Sequence, residues 1–528
     1  MLSILVLTGR IAYTQWPVYG TVYEWAYPSE IKEIYDNGFI LAFDFQQYDG
    51  SASNSALLKV DVNGDLLWEK VMQNESRYLR IEGLTTTSNG GIVISGRTRL
   101  IDQTPDPFIM KLNSCMQVEW CNIYSTPGCY DNSGDIVYLK EEDSYITFFY
   151  NSDQPVHERT QIIKLDSSGN QIWCNNYMTN PGYIGESPMG LVLSEPDSSV
   201  LLNGFVYAPE DSSGWNVIQP YFLKVKQNGD FIWEFFNVPD TSFTYGLARK
   251  NPVVLSDGTI AAPAASIPQR TSRLIGLGSD GEFQWINTIH QPDSIISVTI
   301  NSSDLLNSKI YLGTQNWITG FDALGYASVV KNDSLGNFIG EAILPVDFTS
   351  IIYDICATSD DKLMILATHD MNTVDFMLIK YNENMDYDSI CTQNLTYDSL
   401  CPEGITSGTI EMGCDIITDI SKQGEEHRIP ELTIAPNPAV EYTIVYLPET
   451  IATNTRQGIF DVTSHRSDYV RNLTMQVYDI YGRQVISEPW PDMVKEKVIN
   501  TSDLKAGIYL ISIQKNDKSI SSGKLMIR

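Results

Sequence analysis

The stretch Lys59-Val60-Asp61-Val62-Asn63-Gly64-Asp65-Leu66-Leu67-Trp68 decides how the chain is read. An alternating run enters a turn with Asp61 at its first position and Gly64 at its fourth. Leu66 to Trp68 begin a return strand, so the unit predicts a β-hairpin closed by a type I turn. It recurs at 111–120, 164–173, 224–233 and 276–285, with degenerate copies at 331–340 and 380–389. The end positions 68, 120, 173, 233, 285, 340 and 389 are spaced by 52, 53, 60, 52, 55 and 49 residues, which marks a repeat architecture.

A second marker precedes each hairpin: a polar turn followed by an apolar run, starting at Asp36, Ser88, Glu142, Pro196, Ser256, Asn307 and Asp360. Each period therefore holds four short strands, and nothing there sustains helical periodicity. The expected fold is all-β: a seven-bladed β-propeller of four-stranded blades over residues 24–395, whose blades bury their faces only by stacking in a ring. The recurring Trp68, Trp120, Trp173, Trp233 and Trp285 then fill the wedge between blades as packing residues. Trp16 lies one period before Trp68 with no polar turn ahead of it. The seventh hairpin lacks both Gly and Trp, having Asn384, Met385 and Ser389 instead. The amino-terminal segment is accordingly expected to complete the last blade and remove a free edge. Residues 1–23 also contain an apolar run, Met1 to Leu7, of the kind that ends a secretory signal.

The units resemble the broad propeller repeats of bacterial surface proteins and, distantly, quinoprotein-type blades. That resemblance implies a fold and no chemistry.

Composition narrows the partners. A net charge of −30 opposes binding to nucleic acid or to anionic membrane surfaces. No apolar run approaches the length of a membrane-spanning helix. Apolar residues at 43% and aromatics at 11% suffice for a large core. Of eight cysteines, Cys115 and Cys121 flank one hairpin turn, and Cys401 and Cys414 bracket a short loop. These four are the candidates for disulfides in an exported protein; spacing does not fix the connectivity, and Cys401–Cys414 is the local pair expected first, with Cys115–Cys121 as the second candidate. Cys174 and Cys356 read as buried thiols.

Catalytic and metal-binding signals are weak. His157, His290, His369, His427 and His465 are scattered, with no His-x-x-x-His pair. The stretch 185–190 lacks the spacing of a nucleophile elbow and reads as a loop. Asp61, Asn63 and Asp65, like the run 131–135, suit either a calcium loop or an ion-free turn, and the turn is the simpler reading. No cofactor and no metal site is expected.

Residues 396–430 lose the periodicity and read as a linker. From 431 to 528 a different pattern begins, an antiparallel β-sandwich by its short alternating strands. It contains Pro436-Asn437-Pro438, then Asp479 with Gly482-Arg483, then Leu504 with Ala506-Gly507-Ile508-Tyr509, and finally Lys524-Leu525-Met526-Ile527. In these ordered motifs the segment resembles the type A carboxy-terminal sorting domain of the type IX (Por) secretion system. The resemblance implies passage through the periplasm, recognition at the outer membrane by the type IX machinery, and release or surface attachment. Its expected sorting residues are Pro436, Asn437, Pro438, Asp479, Gly482, Gly507, Tyr509 and Lys524. A polar insertion, 450–468, departs from the family pattern. The functional expectation is a secreted or cell-surface propeller that binds an unidentified glycan or protein without catalysis. The alternative is a carbohydrate-active propeller enzyme, a glycoside hydrolase or lyase, with carboxylates meeting at the central channel.

Overall fold

The computed structural model describes residues 16–21, 26–46, 53–73, 78–99, 105–125, 131–151, 159–177, 185–208, 217–236, 252–266, 271–289, 295–318, 325–345, 350–370, 373–417, 432–447, 473–479, 483–490, 496–502, 504–515 and 518–528. Among them the regular structure is strand, with one short 3-10 turn at Glu195–Asp197. The chain forms two compact units, Met1–Lys422 and Gln423–Arg528.

The first unit is a β-propeller. Its described strands form seven antiparallel groups of four: 26–73, 78–124, 131–177, 185–235, 253–288, 295–343 and 352–381, the last completed by Val18–Thr21. These groups are called blades one to seven below. Within a blade, chain order is spatial order, so each strand is a hairpin partner of the next. The amino-terminal strand is the exception. Val18 lies opposite Leu378 and Thr21 opposite Asp375, so residues 18–21 supply the outer strand of the seventh blade. Joining the two ends of the repeat in one sheet closes the ring and leaves no unpaired terminal blade.

The turn chemistry explains the repeat. In the first hairpin the Asp61 carboxylate accepts the backbone N–H groups of Asn63 and Asp65, both at 2.8 Å, and Gly64 takes φ +85°. Asp166 and Asp333 do the same for their own turns. These carboxylates are occupied by the turn, as Asp and Asn at such positions usually are. The lysine that opens each unit and the tryptophan that closes it become cross-strand partners: Lys59 with Trp68, Lys111 with Trp120, Lys164 with Trp173, Lys224 with Trp233.

The core lies between blades. Trp16, Ile31, Phe39 and Phe43 pack with Met364, Leu366, Phe376 and Leu378, joining the seventh blade to the first. Comparable buried clusters join every other successive pair.

Three local expectations change. The stretch 185–190 opens the strand Gly185–Ser194; a bulge between Pro188 and Gly190 absorbs the proline, which has no N–H for the ladder. The run 131–135 lies in the strand Asp131–Leu139, bulged after Ser133, and is not a hairpin turn. The segment 396–430, expected as a linker, is part of the first unit as far as Ile417. Gly408–Glu411 pairs in parallel with Lys70 to Gln73, and Asp415–Ile417 with Asn122 to Tyr124.

The second unit has a three-stranded sheet, Thr433–Ala435, Tyr442–Tyr446 and Glu496–Asn500. Its four-stranded sheet runs in the order Gln484–Pro489, Leu473–Asp479, Gly507–Lys515, Lys518–Ile527. Alternate residues such as Met475, Val477, Ile511, Ile513 and Leu525 face a shared core with Val445, Trp490 and Ile499.

Candidate functional site

The repeat residues build a clamp between blades. Apart from Trp68, each of these indoles lies over the αL glycine in the hairpin turn of the next blade. A Cβ placed on Gly169 would meet Trp120 at 2.7 Å, on Gly229 Trp173 at 3.2 Å, on Gly281 Trp233 at 2.6 Å, and on Gly336 Trp285 at 2.5 Å. Trp16 covers Gly64 in the same way, at 3.2 Å, so the closing strand carries its own clamp. The indole N–H then donates to a turn carbonyl: Trp120 to Ser167 at 2.9 Å, Trp173 to Gln227 at 3.1 Å, Trp233 to Ser279 at 3.0 Å. The partner lysine donates to the same oxygen, from Lys111 and Lys224 at 3.3 Å and from Lys164 at 3.2 Å. A carbonyl has two lone pairs, so both donors are accommodated.

The polar turns complete the arrangement. Lys59 pairs with Asp36 at 2.5 Å, Lys164 with Glu142 at 2.5 Å, Lys224 with Asp197 at 2.6 Å and Lys380 with Asp360 at 2.9 Å. The two sequence markers thus meet at one end of each of these blades. Sequence reasoning missed the asparagine two residues beyond the tryptophan. Asn122 donates to Gly169 O at 2.9 Å and Asn175 to Gly229 O at 3.1 Å, and the repeated Trp-x-Asn spelling was the available signal.

The degenerate copies compensate for one another. Where the sixth blade has Gly340 in place of the tryptophan, the seventh has Met385 at φ +64° in place of the glycine. The Met385 methyl reaches to 3.1 Å of the Gly340 Cβ position.

Around the axis the first strands of the blades bring acidic residues together. A cavity of about 740 Å³ is lined by Glu30 and Lys32 of the first blade, Glu195 of the fourth, Asp304 of the sixth and Asp354 of the seventh, with Val192, Val254 and Leu305 among its apolar walls. Asp354 accepts the Ile31 N–H at 3.0 Å, the Ile355 N–H at 3.0 Å and the Ser302 hydroxyl at 2.9 Å. Asp304 accepts the Ala357 N–H at 2.6 Å and the Leu305 N–H at 2.7 Å. Both carboxylates therefore tie the inner strand of one blade to that of a neighbour. Asp44, on the second strand of the first blade, accepts Ile81 N–H from the inner strand of the second blade at 3.0 Å.

The electrostatics follow from burial. Burial raises Asp304 against its two N–H donors, and raises Asp44 to about 7 despite the Arg80 guanidinium and the Ser55 hydroxyl. Burial opposes the charge on Lys32, yet the carboxylates of Glu30, Asp354 and Asp135 outweigh it and hold the ammonium well above its ordinary value. The nearby Cys356 thiol is pushed up to about 12 by burial and by Asp304, which makes it a poor nucleophile.

In the second unit the sorting motifs fall into a few contacts. The Asn437 side chain, between two cis prolyl bonds, bridges the last strand: its Nδ2 donates to Lys524 O at 2.7 Å and its Oδ1 accepts Met526 N–H at 2.9 Å. Ala439 and Arg528 extend that seam through Ala439 N–H to Met526 O, 2.8 Å, and Arg528 N–H to Ala439 O, 3.0 Å. Asp479 holds Arg483 by its backbone at 3.0 Å and its guanidinium at 2.7 Å. Gly507 opens its strand, and Tyr509 is buried and donates to Lys505 O at 2.9 Å. Lys524 is exposed. Gly482 lies outside the described residues.

The four candidate cysteines do form disulfides, but crosswise: Cys115–Cys401 and Cys121–Cys414, separated by 286 and 293 residues. The expected local pairs Cys115–Cys121 and Cys401–Cys414 are replaced because the segment around Cys401 folds back on the second blade, an approach no spacing announces. Cys174 and Cys356 are buried free thiols, and Cys391 is half-buried. Cys129, His157, His290, His427, His465 and Met1 to Leu7 lie outside the described residues, as does the side chain of His369. Among the described residues no group of three His, Cys, Asp or Glu side chains is placed to hold a metal ion. No helix there is long and apolar enough to cross a membrane.

A closed ring of four-stranded blades, followed by a small two-sheet unit whose Pro-Asn-Pro turn grips the last strand, defines a β-propeller protein with a terminal sorting unit. Residues 433–528 match the family of the secretion system C-terminal sorting domain, which directs the chain to the type IX machinery and on to the cell surface or the medium. No curated protein matches the chain. Among solved structures it is similar to puromycin hydrolase, with TM-score 0.43 and 11% identity over 70% of this chain and 54% of the other, so it spans about half of that protein's length. It is also similar to the β-propeller domain of the Trilobed protease from Pyrococcus furiosus, with TM-score 0.39 and 12% identity over 71% of this chain and 100% of the other. A third is the polysaccharide lyase PL25 ulvan lyase, with TM-score 0.44 and 8% identity over 70% and 96%. These likenesses concern the fold alone.

Proposed function

We propose that this protein is a seven-bladed β-propeller that binds a glycan or protein ligand at the cell surface without chemistry, delivered there by residues 431–528. One observation carries the non-catalytic reading. Asp304 and Asp354, the aspartates lining the channel mouth, already accept five hydrogen bonds, four from backbone N–H groups and one from Ser302. A general acid or base must be available to the reacting proton, and carboxylates engaged in this way serve the ring instead.

The secreted protein should be offered to glycan and protein arrays beside a panel of glycoside hydrolase and lyase substrates. Capture without turnover is expected. Turnover lost in Asp304→Asn or Asp354→Asn, with the melting temperature retained, would instead establish the carbohydrate-active alternative.

Delivery is tested separately. Deleting Gln423–Arg528 should leave a folded first unit that accumulates in the periplasm of a host with type IX machinery. Truncated protein reaching the medium in normal amounts refutes the sorting role.

A further inference from the structure

The junction between the first and second blades is built differently from its neighbours. At the next three junctions the indole and the ammonium share a turn carbonyl of the following blade. The second blade's hairpin has Met116 at φ +58° where five of the other six hairpins have glycine. At this junction Asp398, 330 residues from Trp68, supplies the acceptor. Its Oδ2 takes the Trp68 indole N–H at 3.0 Å, its Oδ1 takes Lys59 Nζ at 2.5 Å, and its own N–H donates to Asp36 at 2.8 Å.

The segment 398–417 that carries Asp398 is a strap across both blades. On the first blade it is held by the parallel pairing of Gly408–Glu411, and on the second by Asp415–Ile417. The pairings are short, four and three residues with Gly408, Thr409, Glu411 and Asp415 exposed, and Ile410 and Met412 add the strap's buried side chains to the core between the two blades. Its covalent attachments are Cys115–Cys401 and Cys121–Cys414, one ahead of each short strand and both on the second blade.

We propose that the strap is an oxidation-set latch that closes the junction between the first two blades. Each bridge forms by thiol–disulfide exchange. One protein thiolate attacks a sulfur of an external disulfide such as glutathione disulfide and expels one thiol; its partner thiolate then attacks the mixed disulfide and expels the second. Two protein thiols and one external disulfide become one protein disulfide and two external thiols. In the reducing cytoplasm the four cysteines stay thiols and only non-covalent contacts hold the strap, so it opens more often; beyond it the bridges form and Asp398 is fixed against Trp68 and Lys59. The timing relative to export rests on the proposed function, whereas the latch itself does not.

The test is hydrogen exchange followed by mass spectrometry on the purified full-length protein, oxidised or reduced and alkylated. Non-reducing peptide mapping of the same oxidised sample should find Cys115 linked to Cys401 and Cys121 to Cys414. Reduction should raise exchange about tenfold or more in 66–73, 118–124 and 408–417, while 283–288 and 338–343 keep their protection. The melting temperature should fall by roughly 5–10 °C, as expected for two bridges closing long loops. Cys115→Ser with Cys121→Ser should reproduce the exchange pattern without reductant; if that variant fails to fold, the reduced native protein still decides. Strap peptides that remain protected with all four thiols alkylated would overturn the proposal. So would a rise spread equally over all blades, or a map linking Cys115 to Cys121. None of these measurements depends on secretion, so a failed latch and a failed sorting role are told apart.

Discussion

Replacing Trp173 with alanine probes the clamp where its geometry is complete. The side chain is 7% exposed, sits over Gly229 and donates to Gln227 O. Truncation removes a buried aromatic, about 3–5 kcal/mol in cores of this kind, of which the lost hydrogen bond accounts for about 1 kcal/mol. The Gln227 carbonyl is not stranded, because Lys164 still donates to it at 3.2 Å, so no orphan-acceptor penalty is added. A net loss of about 4 kcal/mol is expected. The junction of the sixth and seventh blades suggests its own repair. Trp173→Gly combined with Gly229→Met reproduces the Gly340 and Met385 arrangement, and Met385 already occupies φ +64°. The double variant should recover about 1–2 kcal/mol relative to Trp173→Gly alone, by refilling part of the cavity. Urea unfolding, followed through the propeller transition, measures both. An unchanged midpoint for Trp173→Ala would refute the inter-blade clamp, and a double variant weaker than Trp173→Gly would refute the exchange of roles.

Trp16→Ala should cost a comparable amount, since Trp16, just ahead of the closing strand, is 3% exposed over Gly64; a melting temperature within a degree of the parent would count against closure by residues 18–21. Asp44 makes stability depend on pH. Its folded value near 7 lies above the usual carboxylate value of 3.8, so the folded state binds the extra proton. Its contribution is therefore full below about pH 4 and is lost as pH rises to about 7, a slope that urea midpoints should detect and Asp44→Asn should flatten. In the second unit, Asn437→Ala removes both bonds to the last strand and should cost about 1–2 kcal/mol, read as faster hydrogen exchange in 518–528. Unchanged exchange there would mean that Ala439 and Arg528 suffice.

Much of this architecture is legible in the sequence because its causes are local. A hairpin needs Asp61 and Gly64 at a set spacing, so each turn announces itself, and strands of alternating residues follow from the pleat. The orphan Trp16, one period before Trp68, points to a closing strand at the amino terminus, although the same residues also suit a signal segment. The terminal motifs could be recognised because Pro436 to Pro438 and Lys524 to Ile527 form short ordered runs, even though nothing in their spacing says that Asn437 grips Lys524 and Met526.

What the tertiary structure decided is every contact made across the ring. Cys115 and Cys121 lie close together in sequence, yet their sulfurs meet Cys401 and Cys414, because the segment after the last blade turns back over the first two. The same return brings Asp398 to Trp68. Asp304 and Asp354 are two acids among many in the sequence, and become acceptors for backbone N–H groups of neighbouring blades only once the inner strands converge. Local rules set turns and strands within about ten residues, whereas partners hundreds of residues apart are chosen by how the closed ring packs, and no short-range pattern encodes that choice.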